Sequence, residues 1–329
     1  MSDAPPSFWR DRRVFVTGAT GLLGTWLVEE LLRRGADVTC LVRDRVPGSR
    51  FYAEGVRERT TTVNGDVADH ETVLRALNEH ECDTVFHLAA QTIVGTASRS
   101  VLSTFETNVK GTWVVLDACR ELKKLVKRVI VASSDKAYGV HDALPYVESA
   151  PLKGRWPYDV SKSCSDLIAL SFAATYGVPV AVTRCGNLYG GGDLNWSRIV
   201  PGTLRSAFRG ERPIIRSDGT LLRDYFYVED AVAAYLLLAE RLEVQDLGGR
   251  AFNFGTGKPV RVSEIVAAAL AAAGRAGLPP IVEGRNDGEI PAQWLDCTAA
   301  RETLGFRHRF ELEEGMARAA AWYRAHLGV

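Results

Sequence analysis

The chain has 329 residues, 46% hydrophobic and 24% charged, which suits one or two globular α/β domains and excludes disordered and fibrous classes. Forty Lys and Arg balance forty Asp and Glu, so the composition gives no reason to expect a nucleic-acid or membrane-surface partner.

In chain order, Val14 to Val16 predicts a first strand, Gly18 to Gly24 a tight loop, and Trp26 to Arg34 an amphipathic helix ended by Gly35. Further strands are predicted over 38–42, 61–64, 84–88, 129–132 and 179–183. Helices are predicted over 101–122 and 158–176, the second closed by Gly177. Strands separated by helices of this length imply βαβ units, hence an α/β fold with a Rossmann-type doubly wound parallel sheet. After about residue 187 the pattern loosens into the Gly190-Gly191-Gly192 turn, short strands near 213–216 and 225–228, and an Ala-rich helix near 265–273. This divides the chain into 1–187 and a smaller mixed α/β part, 188–329, with an interleaved boundary. The first residues are polar and proline-bearing, and the longest strictly apolar runs, 231–239 and 265–273, reach nine residues, so neither a secretory leader nor a membrane span is expected. Cys40, Cys82, Cys119, Cys164, Cys185 and Cys297 form no CxxC pair, which predicts reduced thiols in a cytoplasmic protein and neither a disulfide framework nor a metal site.

The loop TGATGLLG (17–24) follows the first strand and opens the first helix. Its GxxGxxG spacing lets backbone N–H groups approach a pyrophosphate at a helix N-terminus, so a dinucleotide is expected there. An acid at the end of the second strand would select NAD through the ribose hydroxyl, whereas arginine suits the phosphate of NADP. Val42 stands where the acid is expected and Arg43 follows, which tilts the reading toward NADP, while the neighbouring Asp44 leaves NAD open. Asp66, after the third strand, is placed to cap the adenine amine.

Tyr158 and Lys162 stand at i and i+4, on one helix face and about 6 Å apart. A free tyrosine, with a pKa near 10, is too weak a base at neutral pH, and a cation held nearby is expected to lower it. The fifth strand ends in Ser133-Ser134, and Ser134 is expected to share the substrate proton.

With these pieces in place, the chain resembles the extended short-chain dehydrogenase/reductases, in the NAD-dependent epimerase/dehydratase family. The resemblance rests on TGATGLLG (17–24), HLAAQ (87–91), NVKGT (108–112), YDVSK (158–162), RCGNLYGGG (184–192) and RDYFYVEDA (223–231). It implies a tightly bound NAD(P)+ along Gly18, Thr20, Gly21, Leu22, Leu23, Gly24, Arg43, Asp66, Val67, Leu88, Ala89, Ala90, Asn108, Tyr158 and Lys162, with NAD the family's usual cofactor. It further implies that Asn108 supports the catalytic helix and that 188–329 holds a nucleotide-diphospho-sugar. Gln91, Asn187, Arg198 and Arg223 would contact that substrate, and a homodimer would form through helices 101–122 and 158–176.

Within the family, Ser134-Asp135-Lys136, GGGD (190–193), SRIVP (197–201) and LDCTAA (295–300) resemble the 4,6-dehydratases, most closely those of CDP-glucose. A 4-epimerase needs only the Ser, Tyr and Lys set. A 4,6-dehydratase must also take a proton from C5 and expel hydroxide from C6, for which Lys136 as base and Asp135 as acid are expected. The RDYFYV form and Arg43 depart from the CDP-glucose type, so UDP-, GDP- and dTDP-sugars stay open. A 4-epimerase or a 5,6-dehydrating or reducing enzyme remains the alternative.

Overall fold

The computed structural model describes residues 8–285 and 289–329; the polar stretch over 1–7 lies outside the described residues. The strands are β1 (Arg13–Thr17), β2 (Asp37–Val42), β3 (Thr61–Asn64), β4 (Thr84–His87), β5 (Arg128–Ala132), β6 (Val180–Cys185), β7 (Asn187–Tyr189), β8 (Ile214–Ile215), β9 (Leu222–Tyr227), β10 (Ala251–Phe254), β11 (Pro259–Arg261), β12 (Ile281–Val282) and β13 (Ala292–Gln293). Seven of them form one parallel sheet in the order β10-β6-β5-β4-β1-β2-β3. The order reverses between β1 and β4, and a crevice opens at such a switch point.

Side chains alternate across a strand, and each face of this sheet is covered. Val14 and Val16 of β1 pack with the helices Leu22–Arg33 and Val228–Leu242 in one core. Phe15, between them, joins Val85, Val129 and Val131 in the other, under the helices His70–Glu79, Gly111–Glu121 and Pro157–Tyr176. Pro157 at the first turn and Gly177 in left-handed conformation (φ 65°) bound the last of these, as proline and glycine do at helix starts and ends.

Several predicted elements differ in extent. The first helix starts at Leu22, four residues early, because the glycine loop itself turns into it. The single helix read over 101–122 is Val101–Phe105, a π-helical turn Glu106–Lys110 and Gly111–Glu121. The helix His70–Glu79, capped by Asp69 through the Thr72 N–H, was not among the predicted elements. After β6 the chain builds a small mixed sheet, in which β9 pairs antiparallel with β11 and parallel with β7 and β13. It then returns to the large sheet, where β10 lies parallel to β6. All six cysteines are unpaired. Among the described residues, no helix is long and apolar enough to cross a membrane.

Candidate functional site

The site lies along the C-terminal ends of the parallel strands. Gly18 (φ +75°) passes so close to the end of β4 that a Cβ there would stand 2.7 Å from the Ala89 nitrogen. A Cβ on Gly24 would stand 2.1 Å from the Gly18 carbonyl oxygen, whereas Gly21 has room for one. The helix that follows has no side-chain N-cap and no acid in its first turn, so its free N–H groups and dipole favour an anion. Thr17, Gly18, Thr20, Val42, Asp66 and Ala90 are among the residues around the adjoining cavity of about 200 Å³. This cradle, which a side chain would fill, fits a dinucleotide.

Of the residues expected around the cofactor, Leu22, Leu88, Ala89 and Ala90 are half-buried, and Leu23 and Val67 are buried. Asp66 accepts the Ala68 N–H at 2.8 Å through Oδ1 and lines the cavity. Arg43 does not offer an isolated positive charge. Its Nε lies 2.6 Å from Asp44 Oδ2 and both side chains are exposed, so the arginine on which the tilt toward NADP rested is shared with a neighbouring carboxylate.

Behind the loop, Thr112 donates to the Asn108 carbonyl at 2.6 Å, so its hydroxyl accepts from His87 Nε2, 3.1 Å away. His87 Nδ1 therefore accepts from the Thr17 hydroxyl at 2.9 Å, and that hydroxyl accepts the Leu88 and Ala89 N–H groups at 3.1 Å. Burial pushes the imidazole down to about 3, so His87 is a neutral strut tying β1, β4 and the helix Gly111–Glu121 together.

Asn108, in the π-helical turn, accepts the Gln91 N–H at 2.7 Å and donates to Ser161 Oγ at 2.8 Å. Ser161 in turn donates to the Tyr158 carbonyl, so the expected support of the catalytic helix has a physical path. Lys162 donates to the Ala132 carbonyl at 2.8 Å, and burial draws it down to about 8. Burial pushes Tyr158 up to about 12, against the opposing pull of Arg198, while Asp135 raises it further and a hydrogen bond with Ser134 lowers it. The net shift of Tyr158 is upward because loss of water from the phenol outweighs the pull of Arg198.

Ser134 donates to Asp135 Oδ1 at 3.0 Å and accepts the Lys136 N–H at 3.2 Å. Asp135 is buried, its Oδ2 is unpartnered, and burial raises its pKa. Lys136 is half-buried; desolvation of its amine, followed by the charge of Arg223, lowers its pKa. Its Nζ donates to the Gln293 side-chain oxygen.

Arg223, on β9, is buried and pairs with Glu289 at 3.0 Å. Arg198 bonds Asp193 at 3.0 Å and Thr92 at 3.1 Å, beside Gln91, whose own side-chain oxygen accepts the Ile93 N–H at 3.2 Å. Asn187 opens β7, half-buried and in register with Tyr225. The structure thus groups Ser134, Asp135, Lys136, Tyr158 and Arg223, with Arg198 close enough to act electrostatically on the phenol. Sequence reasoning missed Asp159, Gln293 and Glu289. Asp159 lies inside the YDVSK motif, whereas Gln293 stands 157 residues from Lys136 and no spacing announces it.

Residues 14–255 match the model of the NAD dependent epimerase/dehydratase family. The CDP-glucose 4,6-dehydratase of Salmonella typhimurium is 30% identical over 97% of this chain and 92% of its own. The dTDP-glucose 4,6-dehydratase DesIV of Streptomyces venezuelae, solved with NAD and TYD bound, matches with a TM-score of 0.86 and 28% identity, covering 96% of this chain and 98% of that one. The UDP-glucose 4-epimerase of Thermotoga maritima, solved with UDP-glucose, gives a TM-score of 0.85 and 28% identity, covering 96% and 99%. With its parallel sheet, glycine cradle and Ser-Tyr-Lys wall, the chain belongs to the NAD-dependent epimerase/dehydratase family.

Proposed function

We propose that this protein is a nucleotide-sugar 4,6-dehydratase that uses NAD and converts an NDP-hexose to its 4-keto-6-deoxy derivative. The observation that carries the reading is the Asp135-Lys136 pair directly beside Ser134. Burial favours the protonated acid and the neutral amine, the two forms that elimination requires and that a 4-epimerase has no use for. The names of the Salmonella and Streptomyces relatives support it. NAD is preferred over NADP because Asp44 pairs with Arg43 and the Streptomyces neighbour carries NAD.

NAD, held along the cradle of Gly18, Gly21 and Gly24, would supply the hydride acceptor for C4 and the hydride donor for C6. Tyr158, bridged by Ser134, takes the C4 hydroxyl proton, and positive charge from Lys162 and Arg198 offsets part of the cost of the buried phenolate. The C4 ketone acidifies the C5 proton, which Lys136 removes. Asp135 gives its proton to the departing C6 hydroxyl, which leaves as water, and Lys136 returns a proton to C5. Gln91 and Asn187 border the sugar, and Arg223 and Arg198 balance the diphosphate. Two copies associate through the helices over 101–121 and 157–176. Six unpaired thiols suit a reducing, cytoplasmic setting.

The test is incubation with CDP-, UDP-, GDP- and dTDP-hexoses followed by mass spectrometry. One of them should lose one water, and Asp135→Asn should slow that loss by about 100-fold or more. A sugar of unchanged mass and inverted configuration at C4 would make the protein an epimerase, and normal water loss by Asp135→Asn would remove that residue from the elimination.

A further inference from the structure

Position 293 is a costly place for a polar side chain. Gln293 is wholly buried in the two-residue strand β13, in register with Arg223 on β9. A carboxamide there loses its hydration, so its oxygen must be matched by a donor. That donor is Lys136 Nζ, which reaches across from the turn after β5. The carboxamide also shares a hydrogen bond with the Tyr146 phenol, so it links that ring to Lys136.

We propose that Gln293 is a positioning residue for Lys136: its side-chain oxygen holds one amine hydrogen and thereby aims the nitrogen lone pair at the carbon that loses its proton. The proposal rests on the dehydratase reading above. An unprotonated amine has a single lone pair, and an acceptor fixed on one N–H orients it without taking it. Glutamine does so without adding charge, whereas a carboxylate at the same place would hold Lys136 as an ammonium. Around Lys136 the charges come from four places: Asp135 on its own turn, Asp159 on the helix Pro157–Tyr176, Arg223 on β9 and Glu289 before β13. Three of these four groups are already tied, Arg223 and Glu289 to each other and Asp135 to Ser134. Gln293 is thus a neutral contact in an otherwise charged shell.

The experiment compares wild-type protein with Gln293→Leu and the near-isosteric Gln293→Glu, all first checked for folding by circular dichroism. Wild-type water loss from the NDP-hexose is the reference, and its absence would overturn the dehydratase reading itself. Gln293→Leu should lower kcat for water loss about 100-fold, as misaiming a catalytic group does, with KM little changed. Because C4 oxidation continues while elimination stalls, the reduced nicotinamide should accumulate and be visible by its absorbance. Gln293→Glu should move the acid limb of the kcat profile alkaline by about one to three pH units, with activity recovering at high pH. The proposal is overturned if Gln293→Leu affects only KM, or if Gln293→Glu loses activity equally at every pH. If Gln293→Leu does not fold, the pH profile of Gln293→Glu decides alone.

Discussion

Asp159 shows how a single buried carboxylate can work against the fold that holds it. It is 3% exposed, and burial, together with Asp135 and Glu289, pushes it up to about 6 from an ordinary 3.8, although Lys136 and Arg223 pull the other way. The folded chain therefore binds this proton more tightly than the unfolded chain. Stability falls as pH rises from about 4 to about 6 and stays lower above that, by an amount on the order of 3 kcal/mol. Asp159→Asn removes the ionisation and keeps the shape. Its melting temperature should exceed that of the wild type at about pH 8 and match it at about pH 4. An equal shift at both values would mean that the effect comes from packing and that ionisation plays no part. The desolvation that raises Asp159 also raises Asp135 and lowers Lys136, so the cost in stability and the shifts on which the proposed chemistry rests share one origin.

At the scale of elements, the three glycines of the GxxGxxG loop have separable duties. Gly24 faces the Gly18 carbonyl, where a Cβ would stand at 2.1 Å, and no flexible side chain is there to yield. Gly21 meets that same oxygen at 3.4 Å, an ordinary contact, and its backbone (φ −81°) is open to any residue. Gly24→Ala should therefore destabilise the protein by about 1–3 kcal/mol, as overpacking does. Gly21→Ala should melt as the wild type does yet bind NAD more weakly, because its methyl group occupies the space through which a pyrophosphate nears the backbone. Melting curves and dinucleotide titration of the two variants separate the roles; identical behaviour would refute the division. The loop, β1 to β6 and the helix Pro157–Tyr176 are legible in sequence because glycine, proline and apolar periodicity act locally. The π-helical turn Glu106–Lys110 is not, since Asn108 within it is held by Gln91 and Ser161, contacts that only the fold creates.

Across the whole molecule, the hidden parts are those set by long-range pairing. Nothing in the run Ala251–Phe254 states that it leaves the small sheet to become the edge of the large one, and Gln293 reaches Lys136 only because β13 lies on β9. Tyr158, Lys162, Ser134 and the glycine loop were readable because each sits at a fixed place on a local element. The same folding leaves large apolar side chains exposed on the helix Pro157–Tyr176 and on its neighbours. Leu167 is 57% exposed and Tyr176 52% exposed on Pro157–Tyr176, with Leu102 at 76% and Trp113 at 43% on the neighbouring helices. These helices pack against one another. A second copy applying the same helices by two-fold symmetry would bury that surface, which water otherwise penalises at about 25 cal/mol per Å². Sedimentation of the wild type should therefore give the mass of two chains. Leu102→Asp combined with Leu167→Asp should give one chain, because each charge would be buried unpaired at the joint. A wild type that sediments as a single chain at micromolar concentration would refute the interface and leave these side chains to another partner.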